Sequence, residues 1–144
     1  MSFTLADIIR RHAADTPDAP ALTFEGVTWN FAQLHALSSQ SANALRAEGV
    51  QPGDRVAVLT RNRAEFYELI FACSKIGATL VGLNWRLAPP EITAIMADAG
   101  PTVLIVGAGE LPLLSEAARQ GESLRRIVTL GHDYDAWRAR STRL

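Results

Sequence analysis

Arg55-Val56-Ala57-Val58-Leu59-Thr60 and Thr79-Leu80-Val81-Gly82-Leu83-Asn84 are two nearly continuous apolar runs, and the architecture follows from them. A half-exposed strand alternates apolar and polar residues, whereas an unbroken apolar run suits a strand covered on both faces. Between the two runs, Phe66, Leu69, Ile70 and Cys73 recur at helical spacing. Asn62 is placed to cap that helix with help from Glu65, and Gly77 stands where it ends. Strand, helix and strand within about thirty residues make a βαβ unit, which demands parallel pairing.

Upstream, Thr4 can cap a helix running to Ala14, with Leu5, Ile8, Ile9 and His12 on one side, before Pro17 and Pro20 stop it. Ala21–Phe24 and Val27–Trp29 flank Glu25-Gly26, the composition of a tight hairpin. Asn30 and Gln33 form a capping-box pair opening a long helix with Phe31, Leu34, Leu37, Ala42 and Leu45 on its apolar side. Gly49 suits that helix's left-handed end, and Gln51-Pro52-Gly53-Asp54 is a turn leading into the first apolar run. Downstream, Pro89-Pro90 open a helix holding Ile92, Ile95 and Met96, ended by Gly100-Pro101. Val103–Val106 is a third buried strand, a helix is expected from Glu110 to Gln120, Arg126–Leu130 is a fourth strand, and Tyr134–Arg140 is helical. The pattern predicts an α/β fold: a mainly parallel sheet, helices on both faces and an N-terminal β-hairpin.

Composition narrows the function. Fourteen basic and fifteen acidic side chains leave a net charge of −1, with no clustered basic face to reward a nucleic acid. Cys73 is the only cysteine, so no internal disulfide can form, and its apolar helical setting favours core packing over a reactive thiol. The start, Met1-Ser2-Phe3-Thr4-Leu5, lacks the basic-then-apolar order of a secretory signal. No apolar stretch reaches the ~20 residues that span a bilayer. A cytoplasmic protein is expected.

Open parallel sheets bind ligands beyond the carboxyl ends of their strands. Those ends are Thr60-Arg61-Asn62-Arg63, Asn84-Trp85-Arg86 and Gly107-Ala108-Gly109. They could border a channel, or Asn62 could cap its helix while Asn84 and Arg86 pin a loop. Gly107-Ala108-Gly109-Glu110 sits where a dinucleotide fingerprint would, but Pro112 replaces the third glycine and Glu110 would repel a phosphate. His12, His35 and His132 lack metal-ligand spacing, and Asp133 and Asp135 beside His132 fit a surface turn. Ser38, Ser39 and Ser41 lack a nucleophile-elbow context, and Lys75, the only lysine, lies late in a helix without a P-loop. The residues by themselves define a soluble α/β domain with no visible catalytic constellation.

A set of ordered blocks goes further. Val27-Thr28-Trp29-Asn30-Phe31-Ala32-Gln33-Leu34 is followed by Gly49-Val50-Gln51-Pro52-Gly53-Asp54-Arg55-Val56-Ala57, by Asn62 and Glu65-Phe66, and by Lys75-Ile76-Gly77-Ala78. Asn84-Trp85-Arg86-Leu87 and Glu91-Ile92 complete the series. In order and spacing, from Leu5 to Trp137, this resembles the N-terminal part of AMP-forming acyl-CoA synthetases of the adenylate-forming superfamily. Gly82 departs from it, standing where the family often has proline. The resemblance implies a two-step ligase that joins a carboxylic acid to ATP, releasing pyrophosphate, and then captures the adenylate with CoA. In the complete enzyme ATP, Mg²⁺ and CoA take part, and the acid is fatty, aromatic or otherwise organic. The family's phosphate loop, adenine block, ribose-binding aspartate and catalytic lysine find no match here.

Residues 1–144 are therefore expected to be an N-terminal subdomain that ends before the nucleotide-binding motifs and is catalytically incompetent alone. No residue of this chain is assigned a catalytic, cofactor-binding or metal-binding role. Loss of a covering subdomain implies an exposed apolar face and self-association. The other reading is a naturally short, non-catalytic protein derived from the family that binds a partner or ligand.

Overall fold

The computed structural model describes residues 4–140. Helix α1 spans Leu5–Asp15, the hairpin strands β1 and β2 span Pro20–Phe24 and Val27–Asn30, and α2 spans Phe31–Ala47. There follow β3 (Arg55–Leu59), α3 (Ala64–Ile76), β4 (Thr79–Leu83), α4 (Pro89–Ala99) and β5 (Val103–Val106). A 3-10 segment, Ala108–Leu113, and a short α5 (Glu116–Arg119) lead to β6 (Arg126–Thr129) and α6 (His132–Ala139).

Strands β3 to β6 form one all-parallel sheet in the order β4-β3-β5-β6. Central β3 is buried from Val56 to Leu59 and β5 from Val103 to Val106, as two-sided strands should be. Alternate residues feed two cores. Val56, Val58, Val103 and Ile105 meet α2, α3 and α6 through Leu45, Leu69, Cys73 and Tyr134. Ala57, Leu59, Leu104 and Val106 meet Ile92 and Met96 of α4 and the segment carrying Leu114 and Ala118. The antiparallel hairpin stands apart as a two-stranded sheet, turning through Glu25 and Gly26, both at positive φ. That two-residue geometry is the one whose twist matches a hairpin's strands.

Local signals act where the sequence places them. Thr4 and Asn30 both close capping boxes, with Asp7 and Gln33 respectively. Gly49, at φ 94°, follows α2, and the Arg125 side chain packs over its bare α-carbon.

Three expectations need correction. The run Thr79–Leu83 is an edge strand, partly exposed at every position but Leu83, because β3 covers only one of its sides. Asn62 does not cap α3; the N-cap position falls one residue later, on Arg63, which makes no side-chain cap and instead forks onto Glu65 at 3.3 and 2.9 Å. The helix expected over 110–120 is broken at Leu114, which is extended, so that Pro112 lies in a 3-10 turn and Ser115 caps a separate short helix.

Candidate functional site

Beyond the carboxyl ends of β3 and β4, Arg61, Trp85 and Arg86 come together. The guanidinium carbons of Arg61 and Arg86 lie 4.2 and 4.9 Å from the Trp85 ring centroid. Such contacts hold a cation over an indole while leaving its N–H fork available. Asn84 shapes the turn: its side-chain oxygen accepts from the Arg86 backbone N–H at 2.9 Å, and its carbonyl accepts from Leu87. Asn84 therefore positions the arginine by pinning its backbone. Asn62 stays exposed to one side, and Arg63 faces away toward Glu65. The outcome is an exposed shelf of two cations and one aromatic face, suited to phosphates and planar rings.

Glu110 anchors the shelf from below. It is 8% exposed, accepts the Arg61 backbone N–H at 3.2 Å and lies 4.0 Å from the Arg61 guanidinium. Rather than facing an incoming anion, as its sequence position suggested, it turns inward over Gly107. A Cβ at Gly107 would stand 2.3 Å from the Glu110 carboxylate and 2.8 Å from the Thr60 hydroxyl. Gly107 has an ordinary φ of −68°, so glycine is required there by space, not by backbone conformation. The Thr60 hydroxyl is buried without a hydrogen-bond partner.

A second polar cluster joins α2, α3 and α6. Glu68, 3% exposed, accepts from Ser41 at 2.7 Å, from the Tyr134 hydroxyl and from Arg138 at 2.7 Å. Burial raises the Glu68 carboxyl despite the opposing pull of Arg138, and burial followed by the Glu68 charge raises Tyr134 well above the ordinary phenol range. Glu68 and Arg138 border a cleft of about 350 Å³ beneath the hairpin, with Trp29, Leu34 and Arg63 on its walls. Each donor is matched to an acceptor, so the cluster ties α6 to the helical layer.

On another face of that layer, the Lys75 ammonium donates to Ser38 and Ser39 at 2.8 Å and to the His35 carbonyl at 3.0 Å. The His35 ring Nδ1 lies 3.0 Å away. Burial, with a contribution from Arg10, lowers Lys75 to about 8. The serines that the sequence left without a role serve here and, through Ser41, at Glu68.

The remaining candidates separate. His12 stacks on Phe31 at 4.7 Å, and Asp133 accepts the Thr129 N–H, closing the turn into α6. Asp135 pairs with Arg138 at 3.4 Å. Cys73 is buried and its thiol is pushed up to about 12 by desolvation, which makes it core material. Among the described residues no group of three His, Cys, Asp or Glu side chains gathers to hold a metal.

The Gly107 geometry is testable. Gly107→Ala should expel the Glu110 carboxylate from its bond to Arg61, costing about 1–3 kcal/mol in urea unfolding. In a Glu110→Ala background the same change should cost clearly less. Equal costs in both backgrounds would contradict the contact.

Comparison with known proteins fits this geometry. Residues 9–142 match the family described as AMP-binding enzyme. The fatty acid–[acyl-carrier-protein] ligase ScoC of Streptomyces coeruleorubidus is 38% identical over 136 residues, 94% of this chain and 26% of the relative. The anthranilate CoA ligase AuaEII, solved with anthranoyl-AMP, superposes with a TM-score of 0.91 at 32% identity, over 99% of this chain and 28% of that one. A long-chain-fatty-acid CoA ligase from Rhodopseudomonas palustris, assigned that activity provisionally, gives a TM-score of 0.86 at 35% identity, over 90% and 33%. The chain thus spans about a quarter of the curated relative's length. It belongs to the AMP-binding enzyme family and corresponds to the N-terminal region of its acyl-CoA ligases.

Proposed function

We propose that this chain is the N-terminal structural portion of an ATP-dependent acyl-CoA ligase and does not form an adenylate by itself. In the whole enzyme a carboxylate, ATP and CoA would yield acyl-CoA, AMP and pyrophosphate. The observation that carries the reading is the family match over residues 9–142, joined to the absence from this sequence of the phosphate loop and catalytic lysine that the chemistry requires. What the chain contributes is scaffold and wall. Arg61 and Arg86, held over Trp85 at the carboxyl edge of the sheet, offer free N–H donors and an aromatic face. That donor set fits the phosphates and adenine of CoA. CoA, when bound, would supply the thiol that captures the acyl group. Asn84 and Glu110 position the two arginines through their backbones. The acceptor named for the Streptomyces relative is a carrier protein.

Isothermal titration of the chain with ATP and Mg²⁺ should give no saturable heat; clear ATP binding would overturn the claim of incompetence. Self-association is proposed as well, because Leu5, Val27 and Tyr67 are each about half exposed and β4 leaves one sheet edge unpaired. Static light scattering should show mass rising with concentration, and a strictly monomeric species at high concentration would contradict it.

A further inference from the structure

Between helices α1, α2 and α3 lies a half-open cavity of about 300 Å³ whose lining has many hydrogen-bond donors and no carboxylate. Arg10 comes from α1, Ser39, Asn43 and Arg46 from α2, and Lys75 from α3, above an apolar floor of Ala42 and Ile76. Because α3 leaves the carboxyl end of β3 and returns to the start of β4, its last turn brings Lys75 toward the opposite edge of the sheet from Arg61 and Trp85. This cavity is therefore distinct from the shelf described above.

The charges here are not balanced internally. Arg10 pairs with Asp7 through one nitrogen at 3.3 Å, in an exposed contact along its own helix. Arg46 makes no ion pair among the described residues. Lys75 is surrounded by neutral oxygens and the His35 ring. The Ser39 hydroxyl accepts from Lys75 and keeps its own proton to give, whereas the Ser38 hydroxyl is spent on the His35 carbonyl. The cost of gathering these groups shows in both titratable members. Burial first, and then neighbouring cations, lower Lys75 and His35 alike. An anion in the cavity would remove that repulsion.

We propose that this cavity binds a phosphate group, held by Arg10 and Arg46 with Ser39 and Asn43 as neutral donors, beside the charge of Lys75, whose three protons already go to Ser38, Ser39 and the His35 carbonyl. Cations arriving from three helices suit a tetrahedral dianion, which accepts hydrogen bonds on several sides, better than a flat monovalent carboxylate. Two sources share this chemistry: the free ion and a phosphomonoester.

The test is a ¹H–¹⁵N NMR titration of the chain with inorganic phosphate, and separately with glycerol 3-phosphate, at ionic strength held constant with sodium chloride. Saturable shifts should centre on Arg10, Ser39, Asn43, Arg46 and Lys75. Arg46→Gln and Arg10→Gln, both at exposed positions, should each weaken binding about tenfold, the loss expected for one charge-assisted hydrogen bond. Arg119→Gln, on α5 across the sheet from this cavity, should leave it unchanged. Saturation by both ligands marks a site that accepts a substituted phosphate, and saturation by inorganic phosphate alone restricts it to the free ion. Shifts that stay linear, that centre on Arg61 and Arg86, or that survive Arg46→Gln undiminished would overturn the proposal. These outcomes do not depend on ATP binding, so the ligase reading and this site can fail separately.

Discussion

Burial of β3 and β5 on both faces is the constraint from which the rest of this molecule follows. Two runs of four consecutive positions, Val56–Leu59 and Val103–Val106, are withdrawn from water. Parallel neighbours need long crossovers, and strands that are apolar on both sides need cover on both sides. The helices α2, α3 and α6 supply one cover, and α4 with the segment ending in α5 supplies the other. The same requirement aligns the carboxyl ends of β3, β4 and β5 at one edge, which is why Arg61, Trp85 and Glu110 meet although 24 and 49 residues separate Arg61 from its two neighbours.

Polar chemistry is then distributed over this frame according to what each place can satisfy. At the sheet edge, solvent tolerates two arginines on one indole, and the buried Glu110 is answered by a backbone N–H and held close by an α-carbon without a side chain. Inside the helical layer, Glu68 is tolerated because Ser41, Tyr134 and Arg138 all reach it; removing one partner would leave a buried charge or hydroxyl unanswered. Around Lys75 the balance is electrostatically one-sided, and that asymmetry sets it apart from the Glu68 cluster.

What the sequence made legible depended on how far apart the interacting groups are. The Asn30–Gln33 box, the Glu25-Gly26 turn and the two-sided runs at β3 and β5 are decided within a few residues, and they stand where expected. The run at β4 looks the same locally, but its place at the edge is a property of strand order, which no single run encodes. Asn62 has the right chemistry for a cap, yet the cap position falls one residue further on; Pro112, within the span expected as one helix, is accommodated by a 3-10 turn instead. The Ser41–Glu68–Tyr134 cluster spans separations of 27, 66 and 93 residues, and Lys75 reaches His35 across 40. Serines on an apolar helix face carry no sign of such partners. The family blocks, by contrast, are legible because their order along the chain records the tertiary solution as a whole.

Native-state hydrogen exchange tests the organising role of β3 and β5 most directly. If their two-sided burial holds the fold, the hydrogen-bonded amides of Val56–Leu59 and Val103–Val106 should exchange only through global unfolding. Amides of the edge strand Thr79–Leu83 should open at lower free energy. Protection in Thr79–Leu83 equal to that in β3, or local opening of β5 ahead of the edge, would contradict the account.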